Sequence, residues 1–151
     1  MSHEPIISRM SIVGHPIHPM LIHFPVAALL GLIATDFAYI YTKDFFWARA
    51  GFWLAVVGTL GGAVSGLIGL IDLIAVARIR RLITGWCHAT FAITMLSLAT
   101  FNWMLRMPDP AVNILPVGIY MSLLTVVLIF LTSIMGGQLV YEYGVGVDIK
   151  S

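Results

Sequence analysis

Charged residues are so scarce along this chain that they mark the ends of four long apolar stretches. A bilayer core about 30 Å thick needs about 20 apolar residues in a helix, and each stretch reaches that length. The stretches are continuously apolar and do not alternate polar with apolar positions, which favours helices over a membrane barrel. The pattern predicts four membrane-crossing helices, at about residues 20–41, 47–77, 82–105 and 116–137.

The links between these stretches are short. Residues 42–46 join the first two helices and residues 78–81 join the second to the third, while Pro108 and Pro110 separate the third from the fourth. Short links make successive helices antiparallel neighbours. The predicted fold is therefore all-α: an integral membrane four-helix bundle of up-down-up-down topology, a single transmembrane domain over residues 1–151 with both termini on the same side.

Composition agrees with a membrane protein. Of 151 residues, 60% are hydrophobic and only 10% are charged, whereas soluble domains carry about a quarter charged residues. The net charge of +1 gives no reason to expect a nucleic-acid partner. Cys87 is the single cysteine, which excludes an internal disulfide framework. The polar, proline-containing N-terminus does not have the pattern of a signal peptide.

The basic residues predict the orientation. We call the membrane face that holds both termini the terminal face, and the other the opposite face. The up-down order puts Lys43, Arg49 and Arg106 on the opposite face and more basic residues on the terminal face, namely Arg9, Arg78, Arg80, Arg81 and Lys150. The positive-inside rule then places both termini in the cytoplasm, which predicts a cytoplasmic (inner) membrane as the location.

The most informative feature is a convergence of polar side chains on the terminal face. The up-down order gathers four histidines and one acid there from distant parts of the sequence: His15, His18, His23, Asp72 and His88. Residues three or four apart share a helix face, and His23, Asp72 and His88 each lie on a stripe of mostly small residues. The stripes are Ala27, Gly31 and Ala34 below His23; Gly69, Ser65, Gly62 and Gly58 below Asp72; and Ala92, Met95 and Ala99 below His88. The second helix also contains the small-residue pattern Gly58-x-x-x-Gly62-x-x-x-Gly66. Because small residues let membrane helices approach closely, we expect His23, Asp72 and His88 to face a common space.

Asp36 lies near the opposite face. We expect it either to extend towards that interface or to pair with Arg49, and we assign it no functional role.

The sequence resembles domain-of-unknown-function family 2231, small bacterial membrane proteins with four predicted helices. The resemblance rests on the Gly14-His15-Pro16-Ile17-His18-Pro19 motif with the following His23, on residues 69–72, on His88, and on the glycine-containing segments at 136–141 and 144–147. It covers nearly the whole chain but implies no settled activity. Related domains resemble partners of Rieske or cytochrome modules, which by analogy implies electron transfer.

The first functional hypothesis is a b-type haem or other redox-metal protein for electron transfer. Histidine binds haem iron axially, so His23 and His88 are the predicted ligands, with Asp72 fixing the second ring nitrogen of one of them. His15 and His18 would then serve a second metal, a haem propionate or a proton path. Without a Cys-x-x-Cys-His motif, covalent haem attachment is not expected.

Two alternatives stay open. His15, His18, His23 and His88 together supply enough nitrogen ligands for a zinc, copper or iron ion. Alternatively, the chain is an accessory or structural subunit of a larger membrane complex of respiratory type. Its polar cluster would then only hold the helices together and bind no cofactor. An electron-transfer or accessory role is preferred to an enzyme, with no catalytic residue assigned. The expected partners are the lipid bilayer and a cytochrome, an iron-sulfur protein, a quinone or other subunits.

Overall fold

The computed structural model describes residues 5–147, and most of them are helical. Two short strands, β1 and β2, form a hairpin before the first helix. A π-helical turn at Ile114–Gly118 precedes the last helix. The elements are β1 (Ser11–Ile12), β2 (His15–Pro16), α1 (Ile17–Thr42), α2 (Phe45–Ala75), α3 (Ala77–Arg80), α4 (Ile83–Leu105) and α5 (Ile119–Tyr141).

Three of the helical segments are long and apolar enough to cross a membrane: α1, α2, and α5 together with its π-helical turn. The fourth long helix, α4, is less apolar because it carries several hydroxyl side chains. Four of these hydroxyls donate to the carbonyl one turn earlier in the same helix: those of Thr90, Thr94, Ser97 and Thr100. Each of these donors is therefore satisfied within α4 itself, as a lipid environment requires.

The long helices pack in a ring. Helix α1 contacts α2, α2 contacts α4, α4 contacts α5, and α5 returns to α1. The apolar core between them is formed mainly by Leu29 and Leu32 of α1, Ala55 of α2, and Met95 and Ala99 of α4. Many large apolar side chains on the outer surface are exposed, as expected for helices whose outer faces contact lipid.

Close packing of α1 on α2 depends on glycine, as the small-residue pattern predicts. A Cβ on Gly58 would lie 2.6 Å from the side chain of Leu29 in α1, whereas one on Gly62 would lie 3.0 Å from the side chain of Leu96 in α4. Gly66, the third glycine of the pattern, faces open space instead. The first two glycines of the pattern therefore serve two interfaces: Gly58 that of α2 with α1, and Gly62 that of α2 with α4.

The observed helix ends differ from the predicted ones by a few residues. Helix α1 begins at Ile17 and runs through Pro25. Helix α2 ends at Ala75, because Val76 is extended and separates it from the single turn of α3. Helix α5 begins only after the non-helical Leu115, which is followed by a cis peptide bond to Pro116, and it continues to Tyr141.

The two described ends of the chain meet beyond the helices. The Ile6 amide donates to the Gly144 carbonyl at 2.9 Å, and the Gly146 amide donates to the Ile6 carbonyl at 2.8 Å. They lie at the terminal face, where α1 begins and α5 ends. Lys150, which was counted in the predicted charge bias, lies outside the described residues.

A buried ion pair joins α1 to the end of α4 near the opposite face. The Nη1 atom of Arg106 donates to Oδ1 of Asp36 at 2.6 Å, and Nη2 donates to Oδ2 at 2.8 Å. Arg106 is 0% exposed and Asp36 is 1% exposed. The expected pairing of Asp36 with Arg49 is wrong, and so is the placement of Arg106 as a charge at the opposite surface. Arg49 itself is exposed.

Neutral side chains complete this network. Nε of Arg106 donates to Oδ1 of Asn102 at 2.9 Å, and the Asn102 amide donates to the Ser122 hydroxyl at 2.9 Å. The Ser122 hydroxyl in turn donates to Asp36 at 2.7 Å. The network therefore links α1, α4 and α5, and its charges are balanced and hydrogen-bonded, which a buried ion pair requires.

We expect removal of either charge to destabilise the protein far more than removal of a surface charge. Asp36→Ala or Arg106→Ala leaves a buried charge without its partner, which costs about 3–5 kcal/mol in the free energy of unfolding. The double variant Asp36→Leu with Arg106→Met should cost less than the sum of the single variants, because it leaves no lone charge. Reversible unfolding in detergent measures each value.

Arg49→Ala is the matched control, because Arg49 is the exposed basic residue that the sequence suggested as the partner. We expect its effect to stay within about 0.5 kcal/mol. A loss from Arg49→Ala as large as that from Arg106→Ala would contradict the assignment.

Candidate imidazole site

His18 lies in the first turn of α1 and is held against α2. Its Nδ1 atom donates to the main-chain carbonyl of Ser65 at 2.8 Å and lies 3.1 Å from the Ser65 hydroxyl. That hydroxyl donates to the His18 carbonyl at 3.4 Å. The imidazole is half-buried, and these contacts fix its orientation.

His88 lies near the start of α4 and is held against α5. Its Nδ1 atom donates to the main-chain carbonyl of Thr132 at 3.0 Å. The ring is half-buried and lies next to that of His18, with 6.2 Å between the ring centroids and 89° between the ring planes. The two imidazoles thus bring together α1 and α4, which lie diagonally opposite each other in the ring of helices.

The hydrogen bonds fix which nitrogen of each neutral ring carries the proton. A carbonyl oxygen can only accept, so Nδ1 must be the protonated nitrogen in both His18 and His88. Nε2 then carries the lone pair in each ring. This is the tautomer that lets histidine bind a metal through Nε2, with the other ring nitrogen held by a backbone carbonyl.

Glycines make room for both rings. A Cβ on Gly69 of α2 would lie 3.0 Å from Nδ1 of His18. A Cβ on Gly136 of α5 would lie 3.3 Å from Cε1 of His88. Each imidazole therefore packs directly against the backbone of the neighbouring helix, at a place where even a methyl group would crowd it.

The other predicted histidines lie elsewhere. His23 is exposed on the outer face of α1. A helix turns about 100° per residue, so five residues carry His23 about 140° around α1 from His18, and the two cannot both face inwards. His15 is exposed in β2, where Nδ1 donates to the carbonyl of Val13 at 2.9 Å. The structure thus brings His18, rather than His23, to His88.

The stripe below His23 faces outwards as well. Ala27 and Ala34 are exposed, while Leu29, Leu32 and Asp36 form the buried face of α1. The expectation that the small residues below His23 face the bundle is wrong for Ala27 and Ala34, because Leu29 and Leu32 fill the core against Gly58 and Gly51 of α2. Gly31 of the same stripe is half-buried, and a Cβ there would lie 3.2 Å from Leu54 of α2. In α4 the predicted stripe is the inner one, since Met95 and Ala99 below His88 are buried.

Asp72 anchors the segment before β1. Its carboxylate accepts hydrogen bonds from the Ser8 hydroxyl, from the Arg9 amide at 2.8 Å and from the Met10 amide at 2.9 Å. Within residues 5–147, none of its hydrogen bonds comes from an imidazole. Asp72 thus holds the N-terminal segment at the end of α2 and does not orient His18 or His88.

The described part of the chain contains no group of three or more histidine, cysteine, aspartate or glutamate residues placed to hold a metal ion. The site is a pair of imidazoles and not the larger cluster that the sequence suggested. A free zinc ion takes four ligands, at least three of them from the protein, which this pair alone does not supply.

Sequence reasoning did not identify the groups that hold the imidazoles. Thr132 and Gly136 lie in the most apolar helix and are uncharged, so nothing in their sequence context indicates a polar site. The Ser65 and Thr132 acceptors are main-chain carbonyls, which every residue possesses. The usable signal was the spacing of four residues from a hydroxyl residue to a glycine, which occurs at Ser65 and Gly69 in α2 and at Thr132 and Gly136 in α5.

Comparison with known proteins gives one match, which is to a protein-family model. Neither the curated proteins nor the solved structures include a match to this chain. A family model described as "Predicted membrane protein (DUF2231)" matches residues 14–149, which begins at the first glycine of the Gly-His-Pro motif. The resemblance identified from the sequence motifs is confirmed: the chain belongs to the DUF2231 family of predicted membrane proteins.

Proposed function

We propose that the protein is a four-helix membrane bundle in which α4 is the fourth crossing. With 23 residues, α4 is about 34 Å long at 1.5 Å per residue, enough for a hydrocarbon core of about 30 Å. The hydroxyl groups that lower its hydropathy are bonded to its own backbone, so they do not prevent its insertion. Helices α1, α2, α4 and α5 then cross in up-down-up-down order.

The same arrangement supports a cytoplasmic terminal face in a bacterial inner membrane. Because Arg106 is buried in an ion pair, the opposite face keeps only Lys43 and Arg49 as interfacial basic residues. The terminal face has Arg9, Arg78 and the neighbouring arginines of α3 and its C-terminal end. Among the described residues, four interfacial arginines at the terminal face therefore stand against two basic residues at the opposite face, which favours the positive-inside orientation.

We further propose that the protein is a b-type haem protein for electron transfer, in which His18 and His88 would hold the haem. The observation that carries this proposal is the pair of adjacent imidazoles, each with Nδ1 held by a backbone carbonyl and the lone pair therefore on Nε2. In helical bundles, cofactor sites are built from side chains on facing helices in the core, and α1 and α4 are such helices.

The donor set fits this group better than a free ion. A haem needs only axial ligands from the protein, because its macrocycle supplies the other donors. A haem iron held between the rings would be bound by both imidazoles, whose centroids lie 6.2 Å apart. A non-haem zinc, copper or iron site would need further ligands that His15 and His23 do not bring to the pair.

Bound haem would supply a one-electron couple. The chain itself orients the imidazoles: Ser65 and Thr132 accept the Nδ1 protons, and the backbone at Gly69 and Gly136 bounds the rings. The electron partner would approach from the terminal face, where the site lies. A cytochrome, an iron-sulfur protein or a quinone is the class of partner that the family resemblance favours.

An absorption spectrum tests the haem proposal. Protein expressed with haem precursors and purified in detergent should show a Soret band that shifts on reduction with dithionite. His18→Ala and His88→Ala should each remove the low-spin bis-histidine spectrum, because each deletes one axial ligand.

His23→Ala is the matched control, since His23 lies on the same helix but faces outwards, and it should keep the spectrum. A colourless wild-type protein under haem-replete expression would refute the proposal. Loss of the band in His23→Ala but not in His18→Ala would restore the pair that the sequence suggested.

A second candidate function is that of a subunit in a larger membrane assembly, and the outer face of α4 favours it. Cys87, Thr90, Thr94 and Ser97 are exposed and lie within an arc of about 80° at 100° per residue. Small and hydroxyl residues are enriched where membrane helices contact each other. The stripe is uncharged and so matches a second copy of itself without repulsion, and a symmetric dimer is the commonest assembly.

Cys87 provides the test, because it is the single cysteine and lies on this stripe. A short bismaleimide added to intact membranes should produce a covalent dimer through Cys87. As a control, Val57→Cys in a Cys87→Ser background moves the thiol to an exposed position on α2 and should cross-link far less. Equal cross-linking from both positions would indicate random collision and contradict the dimer.

A further inference from the structure

The chain consists of two helical hairpins that are built alike. The first is α1 with α2, at residues 17–75, and the second is α4 with α5, at residues 83–141. The two have the same length, and in each the first helix runs away from the terminal face. Exchanging the two hairpins leaves the order of contacting helices around the ring the same, because α2 contacts α4 just as α5 contacts α1.

The hairpins hold their histidines in the same way. In the first, His18 donates to the carbonyl of Ser65 and packs on Gly69, four residues later. In the second, His88 donates to the carbonyl of Thr132 and packs on Gly136, also four residues later. Helices α2 and α5 therefore each offer a histidine a main-chain carbonyl as hydrogen-bond acceptor and, at a glycine, the space for its imidazole ring.

The equivalence extends to the opposite end of the bundle. A Cβ on Gly51 of α2 would lie 3.4 Å from Nη1 of Arg106, and one on Gly118, just before α5, would lie 3.1 Å from Nη2. Glycines at corresponding positions of the two hairpins thus flank the guanidinium, as Gly69 and Gly136 flank the imidazoles.

The same sequence spacing relates the residues at the imidazole pair to those at the buried ion pair in each part of the bundle. Eighteen residues separate the members of each pair: His18 and Asp36, Gly51 and Gly69, His88 and Arg106, Gly118 and Gly136. Eighteen residues make five helical turns of 3.6 residues, so the members of a pair share a face and lie about 27 Å apart. The polar pairs therefore lie near the two ends of a hydrocarbon core of about 30 Å.

We propose that the two hairpins are related by an approximate twofold axis along the bundle, and that Gly69 and Gly136 are equivalent positioning residues for the imidazoles of His18 and His88. Each glycine lets a ring reach the carbonyl that fixes its tautomer. A metal held at the site would then receive one Nε2 atom from each hairpin. This last step rests on the proposed haem function, whereas the positioning role does not.

The first test needs no cofactor. In protein labelled with ¹⁵N-histidine, the ring nitrogens of His18 and His88 should show the tautomer protonated at Nδ1. Gly69→Ala should shift the His18 signals and leave those of His88, and Gly136→Ala should do the reverse. Gly66→Ala and Gly137→Ala are matched controls on the same helices, because a Cβ there meets nothing within 4 Å, and they should move neither ring.

A double-mutant cycle protects this test against variants that fold poorly. If the added methyl group acts by crowding the imidazole, Gly69→Ala should lower the unfolding temperature of the wild type but leave that of His18→Ala nearly unchanged. The same should hold for Gly136→Ala with His88→Ala. Equal losses in both backgrounds would overturn the positioning role, as would control variants that shift the rings as strongly.

A second readout separates this proposal from that of haem binding. Gly69→Ala and Gly136→Ala should weaken haem binding by similar factors of about 10–100, the usual effect of disturbing a group that orients a metal ligand. Very unequal losses would overturn the equivalence of the two hairpins. If the NMR pattern holds but no variant binds haem, the positioning role stands and the haem proposal fails.

Discussion

The structure depends on the absence of water from the bilayer core. Polar groups in the core need partners within the protein, because an unsatisfied group in hydrocarbon costs several kcal/mol. Among the buried side chains of the described residues, the Thr59 hydroxyl and the Trp103 indole N–H lack such a partner. Asp36 and Arg106 meet this condition through two direct bonds to each other and further bonds to Asn102 and Ser122. This requirement fixes how α1, α4 and α5 meet near the opposite face.

The same condition shapes the imidazole pair at the terminal face. His18 and His88 each use a main-chain carbonyl of the neighbouring helix, so both Nδ1 protons are satisfied and the lone pair of each neutral ring lies on Nε2. A carbonyl is accessible in mid-helix only if the approaching side chain can come close to the backbone. Gly69 and Gly136 provide that approach, which explains why glycine lies beside each histidine.

Much of the fold could be predicted from one sequence, because lipid imposes simple demands. The apolar stretches located all four long helices to within a few residues, apart from the irregular segment around Leu115. The stripe of Gly58 and Gly62 correctly indicated a close interface. The inward face of α1 was misjudged, because small residues at 27 and 34 looked like an interface while Leu29 and Leu32 fill the core.

The sequence by itself determined that this chain has four long apolar helices and that its histidines gather at one end, because helix length and helix direction are properties of local composition. Only the tertiary structure decided which histidine joins His88 and which cation joins Asp36. Both choices depend on the rotation of each helix about its own axis, and packing against neighbouring helices sets that rotation. The hydrogen bonds of His18 and His88 to backbone carbonyls could not be predicted either. Every residue has a main-chain carbonyl, and the sequence does not show which one accepts a hydrogen bond from a side chain.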